Sequence, residues 1–95
     1  MKITEKQTHQ AYNISKAVYL GEISFQDGRS QLADKHSMNP NSAADFINNF
    51  KCMMDGKRFT RTLNAYSTKY FLENIKLDFG TESLINALTS LKLHI

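Results

Sequence analysis

"SMNPNSAADFINNFKCMMDGKRFTR", residues 37–61, holds a helix start, an apolar helical stripe, a helix stop and a cluster of cations in one short run. Asn39 is a favoured cap, and Pro40 suits the first helical position, where no backbone donor is needed. Ala43, Phe46, Ile47, Phe50 and Met54 then recur at helical spacing, and Gly56 supplies the stop. This is the best-marked element of the chain, and it sets the expectation of an all-α fold.

Reading upstream, a helix is predicted from about Thr4 to Leu20, with Ala11, Ile14 and Val18 on one face, Tyr12 and Tyr19 widening it, and Gly21 as the stop. Another starts at Ser24, where Asp27 three residues on mimics a short capping box, and runs to about Lys35 or His36 with Phe25, Leu32 and Ala33 inward. Downstream, a fourth helix is expected to open near Thr60 or Thr62, carry Leu63, Tyr66, Tyr70, Phe71 and Ile75, and stop at Gly80. Thr81 can cap a fifth, in which Leu84, Leu88, Leu91 and Ile95 form one stripe. "KRFTRTL" is too short to support a sheet, and no hairpin turn dipeptide is present. The expected architecture is a compact bundle of about five helices in a single domain spanning residues 1–95.

The totals agree with one folded domain. The 95 residues are 41% hydrophobic and 22% charged with four Gly and one Pro, unlike a disordered tail. Twelve Lys plus Arg against nine Asp plus Glu give a net charge of +3, so the distribution of the cations must carry any argument for an anionic partner. Cys52 is the sole cysteine, which excludes a disulfide framework and fits a reducing cytosol. No apolar run approaches the roughly 20 residues needed to cross a bilayer, and "MKITEKQTHQ" lacks the apolar segment of a signal peptide. A cytoplasmic protein with no membrane partner is expected. The last residues, "LTSLKLHI", continue a helical pattern without a stop signal, so the natural protein is expected to extend beyond Ile95.

The second and third helices have the layout of a helix-turn-helix unit, which needs two helices joined by a tight turn, a small residue at their contact and apolar residues pinning one across the other. Ala33 can be that small residue, Ser37 sits at the turn where glycine is common, Met38 can tuck beneath it, and Ala43 and Phe46 can hold the second helix. Its outward positions are then read as Asn41, Ser42, Asp45, Asn48 and Asn49, and side-chain amides can bond two edge atoms of adenine in a major groove. Asp45 fits less well, since a carboxylate repels phosphates.

Lys57, Arg58 and Arg61 follow within five residues, immediately after the helix stop. They can clamp phosphate oxygens, with Thr60 adding a neutral hydrogen bond, or they can form a solvated loop interacting with Asp55 or Asp78. Phe59 between them suits a core anchor better than a base-stacking ring. His9, His36 and His94 lie far apart, no phosphate-cradling glycine loop or nucleophile elbow is present, and Glu73 and Asp78 are five apart without a shared face. No catalytic residues, metal ligands or cofactors are expected within this chain. Tyr66 and Tyr70, four apart on a helix, can present an aromatic ladder to a base but share their stripe with Leu63, which favours the core.

The run from Ser42 to Ile95, with its helix ending in Met and Gly, its "GKRFTR" basic turn, its Tyr-rich helix ending in Phe and Gly, and its "ALTSLKLHI" helix, resembles a helical N-terminal module found ahead of HNH-type nuclease domains in bacterial restriction-like endonucleases. The first forty residues match only loosely. The resemblance implies a DNA-binding accessory or targeting domain with a nuclease domain beyond Ile95, and a role in sensing modified bases. It points to Lys57, Arg58 and Arg61 in the basic turn and to Asn48, Asn49 and Lys51 in the preceding helix. The combined expectation is binding of double-stranded DNA, with phosphate clamping by Lys57, Arg58 and Arg61 and base contacts from Asn41, Ser42, Asn48 and Asn49. The rival is a protein-interaction domain or homodimer in which the Leu84, Leu88, Leu91 and Ile95 stripe docks on a partner helix. A third reading has Tyr66, Tyr70 and Phe59 form a pocket for a flipped base.

Overall fold

The caps anticipated at Ser24 and Asn39 become helix boundaries. A computed structural model describes residues 3–59, 61 and 63–94, and among them five α-helices: α1 Glu5–Tyr19, α2 Phe25–Lys35, α3 Pro40–Asp55, α4 Ala65–Phe79 and α5 Thr81–His94. The protein is all-α, with no strand among the described residues, and none of these helices is long and apolar enough to cross a membrane. The backbone groups into two compact units that meet in sequence between Asn48 and Asn49, inside α3.

In the first unit, Thr4 and Gln7 close a capping box at the start of α1, each side chain accepting the other's backbone N–H, at 3.1 and 2.9 Å. Ser24 caps α2 by accepting from the Asp27 N–H at 3.0 Å. At the end of α1, Gly21 takes a positive φ of 79°, the Glu22 N–H reaches the Ala17 carbonyl and the Gly21 N–H reaches Val18. This is a Schellman ending, in which a left-handed residue lets the chain fold back on the last carbonyls. α2 also ends on a left-handed residue, Ser37 at φ 54°, but the returning bond spans one residue more than in a Schellman ending, the Met38 N–H donating to the Leu32 carbonyl at 3.1 Å. Leu32 and Met38 are both buried beside that bond.

α1 packs against α2, and the tight approach lies at Gly28, where an added Cβ would stand 2.7 Å from Val18 Cγ2 and 3.0 Å from Ile14 Cγ2. Ala33, the small contact residue expected from the helix-turn-helix pattern, is only half-buried. α2 and α3 are consecutive helices joined by residues 36–39, with Met38, Ala43 and Phe46 buried as the pattern requires. Asn39 caps α3, its Oδ1 accepting the Asn41 N–H at 2.8 Å, as expected.

In the second unit α4 packs against α5. Phe50 of α3 meets Phe71 edge-on at 6.1 Å between ring centroids and Phe79 at 6.2 Å, so two rings of α4 pack against one of α3. α4 starts later than the threonines suggest: Asn64 is its cap, accepting the Ser67 N–H at 2.7 Å, and Leu63 is buried ahead of the helix. The Gly80 carbonyl, and not Thr81, precedes α5 as its cap, accepting the Leu84 N–H at 3.2 Å, and Thr81 is the first helical residue. The inward face of α5 is also turned from the expected stripe. Ala87 and Ser90 are buried, Leu84 and Leu91 are half-buried, Leu88 is exposed, and Ile95 lies outside the described residues.

Candidate nucleic-acid interface

The described backbone of the basic turn is held at Lys57 and at Arg61 by neighbouring helices. α3 ends in another Schellman motif, with Gly56 at φ 68°, the Lys57 N–H on the Cys52 carbonyl at 2.9 Å and the Gly56 N–H on Met53 at 3.3 Å. The next carbonyl, that of Met54, accepts from Asn86 Nδ2 of α5 at 3.2 Å. One turn further along α5, the Ser90 hydroxyl donates to the Lys57 carbonyl. Phe59 is buried, 2% exposed, and anchors the middle of the loop. At its far side Asn49 Nδ2 of α3 donates to the Arg61 carbonyl at 2.8 Å. Asn49 and Ser90 are themselves buried, so these bonds form out of water, where an unpaired donor or acceptor would be costly.

Lys57, Arg58 and Arg61 point the other way. All three are exposed, as is Lys51 one helical turn before the end of α3, and none of the four is ion-paired with a carboxylate among the described residues. The backbone is held from two helices while the charges stay in solvent, an arrangement that presents cations with little loss of loop entropy on binding.

The remaining site residues divide. Asn41 and Asn48 are exposed on α3, Ser42 and Asp45 are half-buried, and Thr60 lies outside the described residues. Asn49 requires a correction: it is 2% exposed, and its amide serves the Arg61 carbonyl instead of facing outward. At about 100° per residue, Asn41 and Asn48 share the outer face of α3, while Asn49 falls roughly 60° from Phe46, at the edge of the buried arc. That angle was available from the sequence. Asn86 and Ser90 are the positioning residues that sequence reasoning missed, and their signal is spacing: two small polar residues four apart on the same helix as buried Ala87.

Phe59 is buried, whereas Tyr66 is exposed and Tyr70 half-buried. The two tyrosines stack on each other at 6.2 Å with an interplanar angle of 20°, and the shallow cleft beside them is lined by Tyr66, Lys69, Tyr70 and Glu73 without Phe59. Comparison with protein-family models, curated proteins and solved structures finds no match to this chain.

Proposed function

We propose that this chain binds double-stranded DNA, with Lys57, Arg58 and Arg61 clamping phosphate oxygens and Lys51 adding a further cation from α3. The observation that carries the reading is the contrast within one loop: the Lys57 and Arg61 carbonyls are held by Ser90 and Asn49, while the cationic side chains are exposed and without ion-pair partners among the described residues. Neutralising phosphates releases condensed counterions, so exposed cations at a turn tethered at Lys57 and Arg61 give salt-dependent affinity without sequence preference. Asn41 and Asn48, a heptad apart on the outer face of α3, supply amides suited to adenine edges, with Ser42 beside them and Thr60 adding a neutral phosphate contact.

The resemblance of residues 42–95 to the module preceding HNH domains makes the role that of a cytoplasmic accessory or targeting domain in bacterial defence. Cleavage then belongs to a nuclease domain elsewhere in the protein, and sensing of modified bases to the DNA contact. A fluorescence-anisotropy titration against unmodified and cytosine-modified duplex, at low and moderate salt, tests this. Saturable, salt-sensitive binding supports the phosphate clamp, a preference for modified duplex supports the sensing role, and no binding at low salt ends the reading.

A second reading, docking of a protein partner or a second copy through α5, is favoured by one observation. Ile85 is 57% exposed and Leu88 46%, three residues apart on one helical face. Sedimentation of the wild type and of Leu88→Lys across a concentration range decides it, because a homodimer through this face would dissociate in the variant.

A further inference from the structure

The outer surface of α4 begins three residues beyond Arg61 with the Asn64 cap, and it carries a feature that phosphate clamping does not use. Tyr66 and Tyr70 stand one turn apart with nearly parallel rings, 6.2 Å between centroids and 20° between planes. Tyr66 is 38% exposed and Tyr70 half-buried, so part of the ladder faces solvent. A cleft of about 230 Å³ runs beside it, lined by Tyr66, Lys69, Tyr70 and Glu73. Lys69 Nζ lies 3.9 Å from Glu73 Oε1, with both side chains well exposed, so the aromatic shelf has a cation and a carboxylate at its edge.

We propose that this shelf binds an unpaired nucleobase, and that the chain therefore takes single-stranded nucleic acid in addition to duplex. The combination of groups selects that ligand class. An aromatic ring offers a face to any base, Glu73 can accept from a base N–H such as thymine N3–H or an exocyclic amino group, and Lys69 can reach a base carbonyl or a phosphate oxygen. A purely apolar partner would leave the ammonium and the carboxylate without use. In a duplex both faces of each base are covered by its neighbours, so only an unstacked base can lie on the tyrosines. The shelf and the basic turn belong to the same compact unit and Tyr66 follows Arg61 by five residues in sequence, so the proposal has one strand held by its phosphates at the turn and a base laid on the shelf. The inference rests on the basic turn as the phosphate contact but not on duplex binding.

The test compares a short oligothymidine, an abasic strand of equal length and a duplex, each titrated against the wild type, Tyr66→Ala, Tyr70→Ala and Tyr66→Phe at fixed salt. The expected result is tighter binding of oligothymidine than of the abasic strand by about 5- to 100-fold, as base stacking on one aromatic side chain supplies. Either alanine variant should erase that preference, Tyr66→Phe should keep it, and the salt dependence should be the same in all four proteins. Far-UV circular dichroism of each variant establishes that it is folded. Equal wild-type affinity for the abasic and thymidine strands overturns the inference, and so does a thymidine preference that survives both alanine substitutions. Duplex binding with no base-dependent single-strand binding overturns the shelf alone. Base-dependent single-strand binding without duplex binding keeps the shelf and overturns the duplex reading, and absence of binding to any of the three overturns both.

Discussion

The buried side-chain amide of Asn49 in α3 donates to the main-chain carbonyl of Arg61 at 2.8 Å, joining a helix to the cationic loop that follows it. Asn49→Ala would leave that carbonyl without its donor. The expected cost is about 1–3 kcal/mol, which for a chain of this size lowers Tm by several degrees. A structural effect alone leaves the salt dependence of DNA binding unchanged. A loop released at Arg61 should also flatten it, because one cation is no longer held for a phosphate. Thermal unfolding by circular dichroism and a salt series of anisotropy titrations measure the two effects separately, and an unchanged Tm would remove Asn49 from the interior.

Ser37 occupies a left-handed conformation, φ 54°, at the turn between α2 and α3. A side chain with a Cβ costs roughly 1–2 kcal/mol there, and glycine relieves it at the expense of about 0.4–1 kcal/mol through its freer unfolded state. Ser37→Gly is therefore expected to stabilise the protein by about 0.5–1 kcal/mol. An increase in the urea midpoint with an unchanged m-value is the signature, and a fall would mean that the serine hydroxyl is needed.

Much of this fold was legible because helix ends are local chemistry. Ser24, Asn39, Gly21 and Gly56 act where the sequence places them, and the stripe from Ala43 to Met54 is buried throughout. The start of α4 was not legible, since Thr60, Thr62 and Asn64 are all acceptable caps and only the structure shows Asn64 accepting the Ser67 N–H. The face of α5 was misread for a related reason. Hydrophobicity selects Leu84, Leu88 and Leu91, whereas the structure buries Ala87 and Ser90, Ser90 because its hydroxyl reaches the Lys57 carbonyl. In the candidate interface, the exposure of Lys57, Arg58 and Arg61 was expected, but the residues that fix their backbone come from α3 and α5 and carry no charge signal.

Gly28 shows how closely α1 and α2 approach, since a Cβ there would meet Val18 Cγ2 at 2.7 Å and Ile14 Cγ2 at 3.0 Å. Both neighbours are β-branched side chains with little rotamer freedom, so they cannot swing away cheaply. Gly28→Ala gains helix propensity worth about 1 kcal/mol but overpacks the contact by about 1–3 kcal/mol. The net expectation is a loss, larger for Gly28→Val, read as an ordered fall in Tm from wild type through alanine to valine. An alanine variant more stable than wild type would mean that the two helices can separate without penalty.

Arg58 and Arg61 are exposed and unpaired among the described residues, so removing them should affect binding far more than folding. Surface substitutions of this kind usually change stability by less than about 0.5 kcal/mol. If each arginine neutralises one phosphate of a duplex, the slope of log K against log salt should fall by about 0.9 for Arg58→Ala and by about 1.8 for the double variant. The loss should be uniform across duplex sequences, because phosphates carry no sequence information. Asn48→Ala provides the contrast: it should leave the slope intact and reduce discrimination between duplexes that differ at an adenine. A double arginine variant that binds duplex with wild-type affinity and slope would take the basic turn out of the mechanism and leave it as a solvated loop.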